Sequence, residues 1–551
     1  MASLTDPGGP FAVIEEPVLG QPVSVFEHRP PNVRTVLADA AERHPDRPHI
    51  VFEEQTLSYS DTLASVARVA ALLEQHGVTK GSRVAFAAAN HLPYPVAWWA
   101  TLSLGAVVAS LNGWWTAIEL AHGIELSAPT VLFADERRLE RLAEVEVGLD
   151  PELVVLDLAV LEPLLGPARP DDPALPDVAI DEDDPAIILF TSGTTGRPKG
   201  ATLSHRSLVH APMVGALQAA MGARANELMG VEPDPNGPRQ PSTLLAAPLF
   251  HVSGALPLVS APVMGTRLVF PPVGQWDEIT HLRLTEQHHV GGWTGVPAQF
   301  WRLLEHPRFD EFDTSSVIQV GGGGAVFTPD LFRLMAEKLP QARVGAGYGM
   351  SETFGSAARL GGLTLETHPA SVGTVEPLCE LEIRDPAGTV LADDEVGEIC
   401  IRGASVFLGY WGDDEATAEA LDEHRWYRTG DYGRFTDGVL QLESRMRDLI
   451  IRGGENIYPI EIENRLAEHP AVAEACVVGV PHHQLGQEVA AVLVLHPDAT
   501  LEPQEVQTWA AESLATYKVP AYVLFRDELP YNATGKVVKR DVEDEVRDAL
   551  A

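Results

Sequence analysis

Small hydroxyl and glycine residues ending in a lysine are the first place where this sequence offers chemistry. "AIILFTSGTTGRPKGATLSH", residues 186–205, leaves an apolar strand-like run for Thr191, Ser192, Gly193, Thr194, Thr195 and Gly196, then reaches Lys199. Backbone N–H groups and hydroxyls in such a loop can turn toward an anion, with the ammonium as a point charge, and polyphosphate is the natural guest. A generic Gly/Thr surface loop has the same composition. The nucleotide loop G-x-x-x-x-G-K-[ST] is excluded, because Gly196 is followed by Arg197, Pro198, Lys199 and Gly200.

Four further segments carry suitable groups. "GYGMSE" (347–352) offers an aromatic face at Tyr348 and a carboxylate at Glu352, fit for a purine and for Mg2+ beside a polyphosphate. A core tyrosine and a surface glutamate would read the same. "YRTGD" (427–431) sets Asp431 after a turn, where it could accept two hydrogen bonds from a ribose diol. "SRMRDLIIRGGENIYP" (444–459) carries three arginines and then a glycine pair, and "LPYNATGKVVKR" (529–540) holds Lys536 beside a glycine.

In this order and spacing the segments resemble the core motifs of the adenylate-forming superfamily, which includes acyl-CoA synthetases, luciferases and peptide-synthetase adenylation domains. The likeness runs from the helix near Val33 to Lys539. It implies that residues 191–199 hold the ATP phosphates, with Thr191 and Glu352 at Mg2+. Tyr348 would lie against adenine beside "GGGGA" (321–325), so that Gly323, Gly324, Ala325, Gly347, Gly349, Met350 and Ser351 join the nucleotide site. Asp431 would bind the ribose and Arg445 would stand near the ribose and phosphates. Lys536 would bridge the carboxylate and the α-phosphate, making Lys536, Thr191 and Glu352 the catalytic set. The family's hinge falls on Arg447, usually Asp or Lys, so arginine is a departure; Ser444 replaces a common glycine.

"GGENIYPIEIE" and "NGWWT" look most like bacterial fatty-acyl or related acyl-CoA ligases. The resemblance puts Phe250, His251, Trp293, Gly295, Gly322 and Gly323 around a carboxylic acid with an apolar or aromatic body, although core packing explains Trp293 equally well. The implied reaction is acid plus ATP to acyl-AMP and pyrophosphate, then transfer to coenzyme A. Transfer to an amine, giving an amide, uses the same first half. A scaffold protein with a dead nucleotide site is the reading from another class, and five intact residues (Thr191, Lys199, Glu352, Asp431, Lys536) argue against it.

Positioning these residues takes a large fold. The chain has 551 residues, 45% hydrophobic, and a net charge of -39, which disfavours a general nucleic-acid binder. Lysine occurs only at 80, 199, 338, 518, 536 and 539. The three cysteines have no metal or disulfide spacing, and the N-terminus carries no basic-then-apolar leader, so a cytoplasmic protein is expected. The charge-free stretch 84–118 is broken by Asn, His, Pro and Gly, and reads as buried strand and helix rather than a membrane span.

"YSDTLASVARVAALLEQHGV" has helical spacing, with Ser60 or Asp61 as cap, and an apolar helix is expected around "AWWATLSLGAVVASL". Short apolar runs ("SRVAFAAA", "TVLFAD", "LVVLDL", "AIILFTS") alternating with helices imply an α/β fold with parallel-rich sheets layered by helices. After about Ser371 the texture becomes hairpins turning at Asp385-Pro386 and Asp437-Gly438, a β-rich subdomain over about 371–446. The expected division is an N-terminal adenylation domain (1–446) and a small mobile α+β C-terminal domain (447–551). The expected partners are a small-molecule carboxylic acid and, as one option, a second copy in a homodimer, with no nucleic acid and no transmembrane segment.

Overall fold

The computed structural model describes residues 2–143, 150, 152–191, 198–230, 239–325, 327–445, 448–452, 455–497, 499–532 and 536–550, with backbone alone at 2, 3, 444, 445, 455 and 456. The short apolar runs become the parallel centre of a seven-stranded sheet: Pro185–Thr191, Val107–Ser110, Arg83–Ala87, Val131–Ala134 and Val154–Asp157. Lys199–Ser204 turns back antiparallel on Pro185–Thr191, so the two ends of the hydroxyl-rich loop are held by one ladder.

A nine-stranded sheet lies beside it, with Arg267–Phe270, Ser242–Leu244, Gly292–Gly295, Gln319–Gly323 and Arg343–Tyr348 parallel and Ala358–Gly361 antiparallel. Helix Pro93–Ser103 is buried on every face, Trp98 and Trp99 included, in a core shared by both sheets. That accounts for the charge-free stretch. Among the described residues no helix is long and apolar enough to cross a membrane.

The hairpins expected after residue 371 form a four-stranded antiparallel sheet of Cys379–Arg384, Gly397–Gly403, Tyr427–Thr436 and Val439–Arg445. At its Asp437-Gly438 turn both residues have positive φ (52° and 75°), the twist that joins two strands tightly. Residues 450–526 build a separate five-stranded sheet with its own core, in which Val472–His482 and Gly486–Leu495 are the long central pair.

Two local expectations need correction. Helix Tyr59–Gln75 is capped by Ser58, whose side chain accepts from the Asp61 N–H while Asp61 reaches back to the Ser58 N–H. The helix starts early because Tyr59 is buried, its hydroxyl donating to the carbonyls of Ala261 (3.0 Å) and Thr266 (2.8 Å). The helix expected through "AWWATLSLGAVVASL" stops at Ser103. Gly105 turns at φ 64°, and the β-branched pair that follows enters strand Val107–Ser110.

Candidate active site

Tyr348 ends a strand of the nine-stranded sheet and Asp431 sits in the four-stranded one, 83 residues later. The Tyr348 hydroxyl donates to Asp431 Oδ2 at 2.8 Å, and both side chains are buried. The turn that delivers Asp431 is pinned from two sides. Thr429 Oγ1 accepts from the Asp431 N–H at 3.0 Å, and Glu398 accepts from Gly430 N–H while pairing with Arg428 at 2.7 Å. Arg445 is the register partner of Asp431 across the hairpin.

Glu352 lies in the short helical turn Ser351–Thr353 and is 6% exposed. Its Oε1 accepts from the Tyr410 hydroxyl at 2.9 Å, and Lys199 Nζ lies 5.3 Å from the centre of the same tyrosine ring. Tyr410 thus stands between the acid and the ammonium at the loop's far end. Burial, then the Glu352 charge, push its phenol far above the usual range, so it stays a donor. The backbone fixes this group: Tyr410 pairs with Ala201, and Phe407 N–H donates to the Glu352 carbonyl at 2.8 Å.

Lys199, Glu352, Tyr410 and Asp431 line a single cleft of about 2310 Å3, and Tyr348 is bonded to its wall through Asp431. Typical small-molecule cavities hold roughly 300–1,000 Å3, so there is room for a nucleotide and a second substrate together. Lys536 enters it from the C-terminal part of the chain. A Cβ on Gly324, which turns at φ 83°, would lie 3.0 Å from Lys536 Cε and 3.6 Å from its Nζ. Glycine is what lets the ammonium come so close to the strand end.

His251 caps helix Val252–Met264: its Nδ1 accepts from the Ser253 N–H at 3.2 Å. A backbone N–H can only donate, so the imidazole proton of the neutral ring is on Nε2. Burial, then the Lys536 charge, lower His251 to about 4, which keeps the ring neutral at working pH.

Two sequence families match this chain. The AMP-binding enzyme family covers residues 37–411, and the AMP-binding enzyme C-terminal domain covers residues 461–536. The chain is an AMP-binding enzyme. It is a ligase of the adenylate-forming type. It is 33% identical over 491 residues to a feruloyl-CoA synthase from Amycolatopsis sp., covering 88% of this chain and 93% of the relative. An indoleacetate–CoA ligase from Aromatoleum aromaticum is 33% identical, with 92% and 97% covered. The crystal structure of ATP-bound MatB from Rhodopseudomonas palustris superposes with a TM-score of 0.79 at 29% identity, with 94% and 100% covered.

In this AMP-binding enzyme the structure brings together Thr191, Lys199, Gly322, Gly323, Gly324, Gly347, Gly349, Met350, Ser351, Glu352, Asp431, Phe250, His251, Gly295 and Lys536 along one cleft. Ser192, Gly193, Thr194, Thr195, Gly196 and Arg447 lie outside the described residues. Trp293 borders the cleft as well, yet almost none of its side chain is exposed. Its indole is 1% exposed, and Nε1 donates to Thr285 Oγ1 at 2.9 Å within a hydrophobic cluster. That makes the side chain core packing, because strand alternation turns it to the helix-covered face. Phe250 is mostly buried behind the cleft wall, at 6% exposure.

Tyr410 is the residue the sequence reading missed. In "VFLGYW" it looks like one more apolar strand position, and nothing local marks the acid it meets 58 residues upstream.

Removing only the Tyr348 hydroxyl leaves a buried carboxylate short of one donor. Tyr348→Phe is expected to raise KM for ATP about tenfold, ~1.4 kcal/mol, with kcat changed less. Initial rates of pyrophosphate release at varied ATP measure this; an unchanged KM would remove Asp431 from the nucleotide site.

Proposed function

We propose that this enzyme activates a carboxylic acid with an apolar or aryl body to acyl-AMP and transfers the acyl group to coenzyme A. The observation that supports the reading is Lys536 beside Gly324, in the cleft that Glu352 and Asp431 also line, with Tyr348 bonded to Asp431. The names of its relatives, a feruloyl-CoA synthase and an indoleacetate–CoA ligase, support the acceptor and the aryl class.

In the first half-reaction a carboxylate oxygen bonds to the α-phosphorus of ATP, the bond to the bridging oxygen breaks, and pyrophosphate leaves. Two anions must meet, and charge grows on the α-phosphate as they do. Lys536 supplies a compact cation there, and Lys199 a second one at the end of the hydroxyl-rich loop. Tyr348 lies against the adenine, its ring angle set by the bond to Asp431, and Asp431 takes the ribose hydroxyls.

Glu352 and Thr191 fit Mg2+: both bring hard oxygen donors to the cleft wall where phosphate oxygens would complete the set. When bound, the ion neutralises phosphate charge. In the second half-reaction the thiol sulfur of coenzyme A bonds to the acyl carbon, AMP leaves, and the thiol proton is released. The reading includes a division near residue 446, with residues 447–551 swinging about Arg447 to withdraw Lys536 between the two steps.

Pyrophosphate release with ATP, Mg2+ and fatty, aryl and polycyclic acids, with and without coenzyme A, tests this. Acid-dependent release that turns over many times only with coenzyme A is the expected result. Turnover that ignores coenzyme A but needs an added amine would make the enzyme an amide synthetase, and no release with any acid would leave a nucleotide-binding scaffold.

A further inference from the structure

The acid end of the cleft has an unusual surface. Along the nine-stranded sheet, Trp293, Val320 and Leu360 turn into the packed core, each 1% exposed. Alternation therefore aims their neighbours at the cleft. Thr294, Gly321, Gly345 and Gly361 stand in register across four strands, and Gly323 pairs with Gly347 in the next row. Three strands spaced about 4.8 Å apart give a floor about 10 Å across with no side chains on it, and the second row extends it by about 7 Å.

Helix His205–Leu228 lines the same cleft with Gly215, Ala219 and Gly222, spaced four and seven residues apart on one face.

Part of the floor has a backbone reason for glycine. A Cβ on Gly321 or Gly345 would fall 2.4 or 2.6 Å from a neighbouring carbonyl oxygen. Three other positions have none. Gly361 is extended (φ 175°), and its Cβ would meet nothing nearer than Val344 O at 3.7 Å. Gly215 would meet nothing within 4 Å, and Gly222 only Arg343 Nη1, at 3.3 Å. Glycine is the least favourable residue after proline inside a helix, and packing does not call for it at 215 or 222. What glycine does at all three positions is leave space.

Long polar side chains bound the space. Gln218 donates to Glu376, which also accepts from Arg359 at 3.1 Å, tying the helix to the sheet on one side. Arg343 reaches up to Gly222 on the other. The cleft here has bare backbone on its sheet side and on its helix side. A linear chain would touch a small part of such walls, and contacts not made are dispersion lost. A fused ring system covers both.

We propose, resting on the acyl-CoA ligase reading above, that the acid is a planar polycyclic carboxylic acid of two or more fused rings, held flat between the glycine floor and the Gly215–Gly222 face. The full-length enzyme should show at least tenfold higher kcat/KM for naphthalene- and phenanthrene-carboxylic acids than for linear acids of equal carbon number, read as coenzyme A-dependent pyrophosphate release. Gly215→Leu should lower that ring-to-linear ratio at least tenfold while the melting temperature holds or rises. Gly361→Leu repeats the test from the floor if the helix variant does not fold. Linear acids used as well as ring acids, or a ratio unmoved by filling this space, would overturn the substrate class and keep the ligase; no release with any acid would overturn the ligase reading itself.

Discussion

Lys536→Ala should lower acid-dependent pyrophosphate release by about 10²–10³-fold, roughly 3–4 kcal/mol, the usual loss for one preorganised donor at developing charge. Thioester formation from supplied acyl-AMP should stay largely intact, because the first bond is already made. The split follows from where the ammonium stands, in the cleft against Gly324 and near neutral His251, where a positive charge serves only while two anions are joined. Lys536→Arg should recover little of the loss. Arginine keeps the charge, but its planar fork is bulkier than an ammonium, and Cε already lies 3.0 Å from where a Gly324 Cβ would be. Equal loss in both half-reactions, followed separately with acid plus ATP and with acyl-AMP plus coenzyme A, would refute the assignment.

Gly322→Ala should cripple the enzyme for a different reason. A Cβ at this position would lie 1.7 Å from the carbonyl oxygen of Gly295 and 2.9 Å from its carbon. Both partners are backbone atoms of adjacent, register-paired strands near the centre of the nine-stranded sheet, so no side-chain rotation can relieve the contact. Overpacking a core typically costs 1–3 kcal/mol, and more where backbone must move, so about 3 kcal/mol or greater is expected.

A melting temperature lower by roughly three degrees or more follows from such a cost in a chain of this size. Gly361→Ala is the control, because its Cβ would make an ordinary 3.7 Å contact. Its melting temperature should match the parent within roughly one degree. If Gly322→Ala melts like the parent, the two strands are not as close as described.

That this chain is an adenylate-forming ligase was legible in the sequence because the segments that carry the likeness are local. An ordered set of turns with glycine, hydroxyl, acid and lysine at fixed places can be read without knowing where the turns meet. The type I′ turn at Asp437-Gly438 and the alternation of apolar runs with helices were legible for the same reason: each depends on neighbours in sequence.

Tertiary structure decided what depends on the facing of a strand and on partners far along the chain. Alternation turned Trp293 into the core, although its residue type suited a substrate wall. Tyr410 reached Glu352 across 58 residues, Tyr348 reached Asp431 across 83, and Lys536 reached Gly324 from another sheet system. The glycines are the clearest case: their letters are the same at 322 and 361, yet one is demanded by a carbonyl 1.7 Å away and the other leaves open space. A glycine records nothing about which of these it serves, because the difference lies in the neighbouring strand.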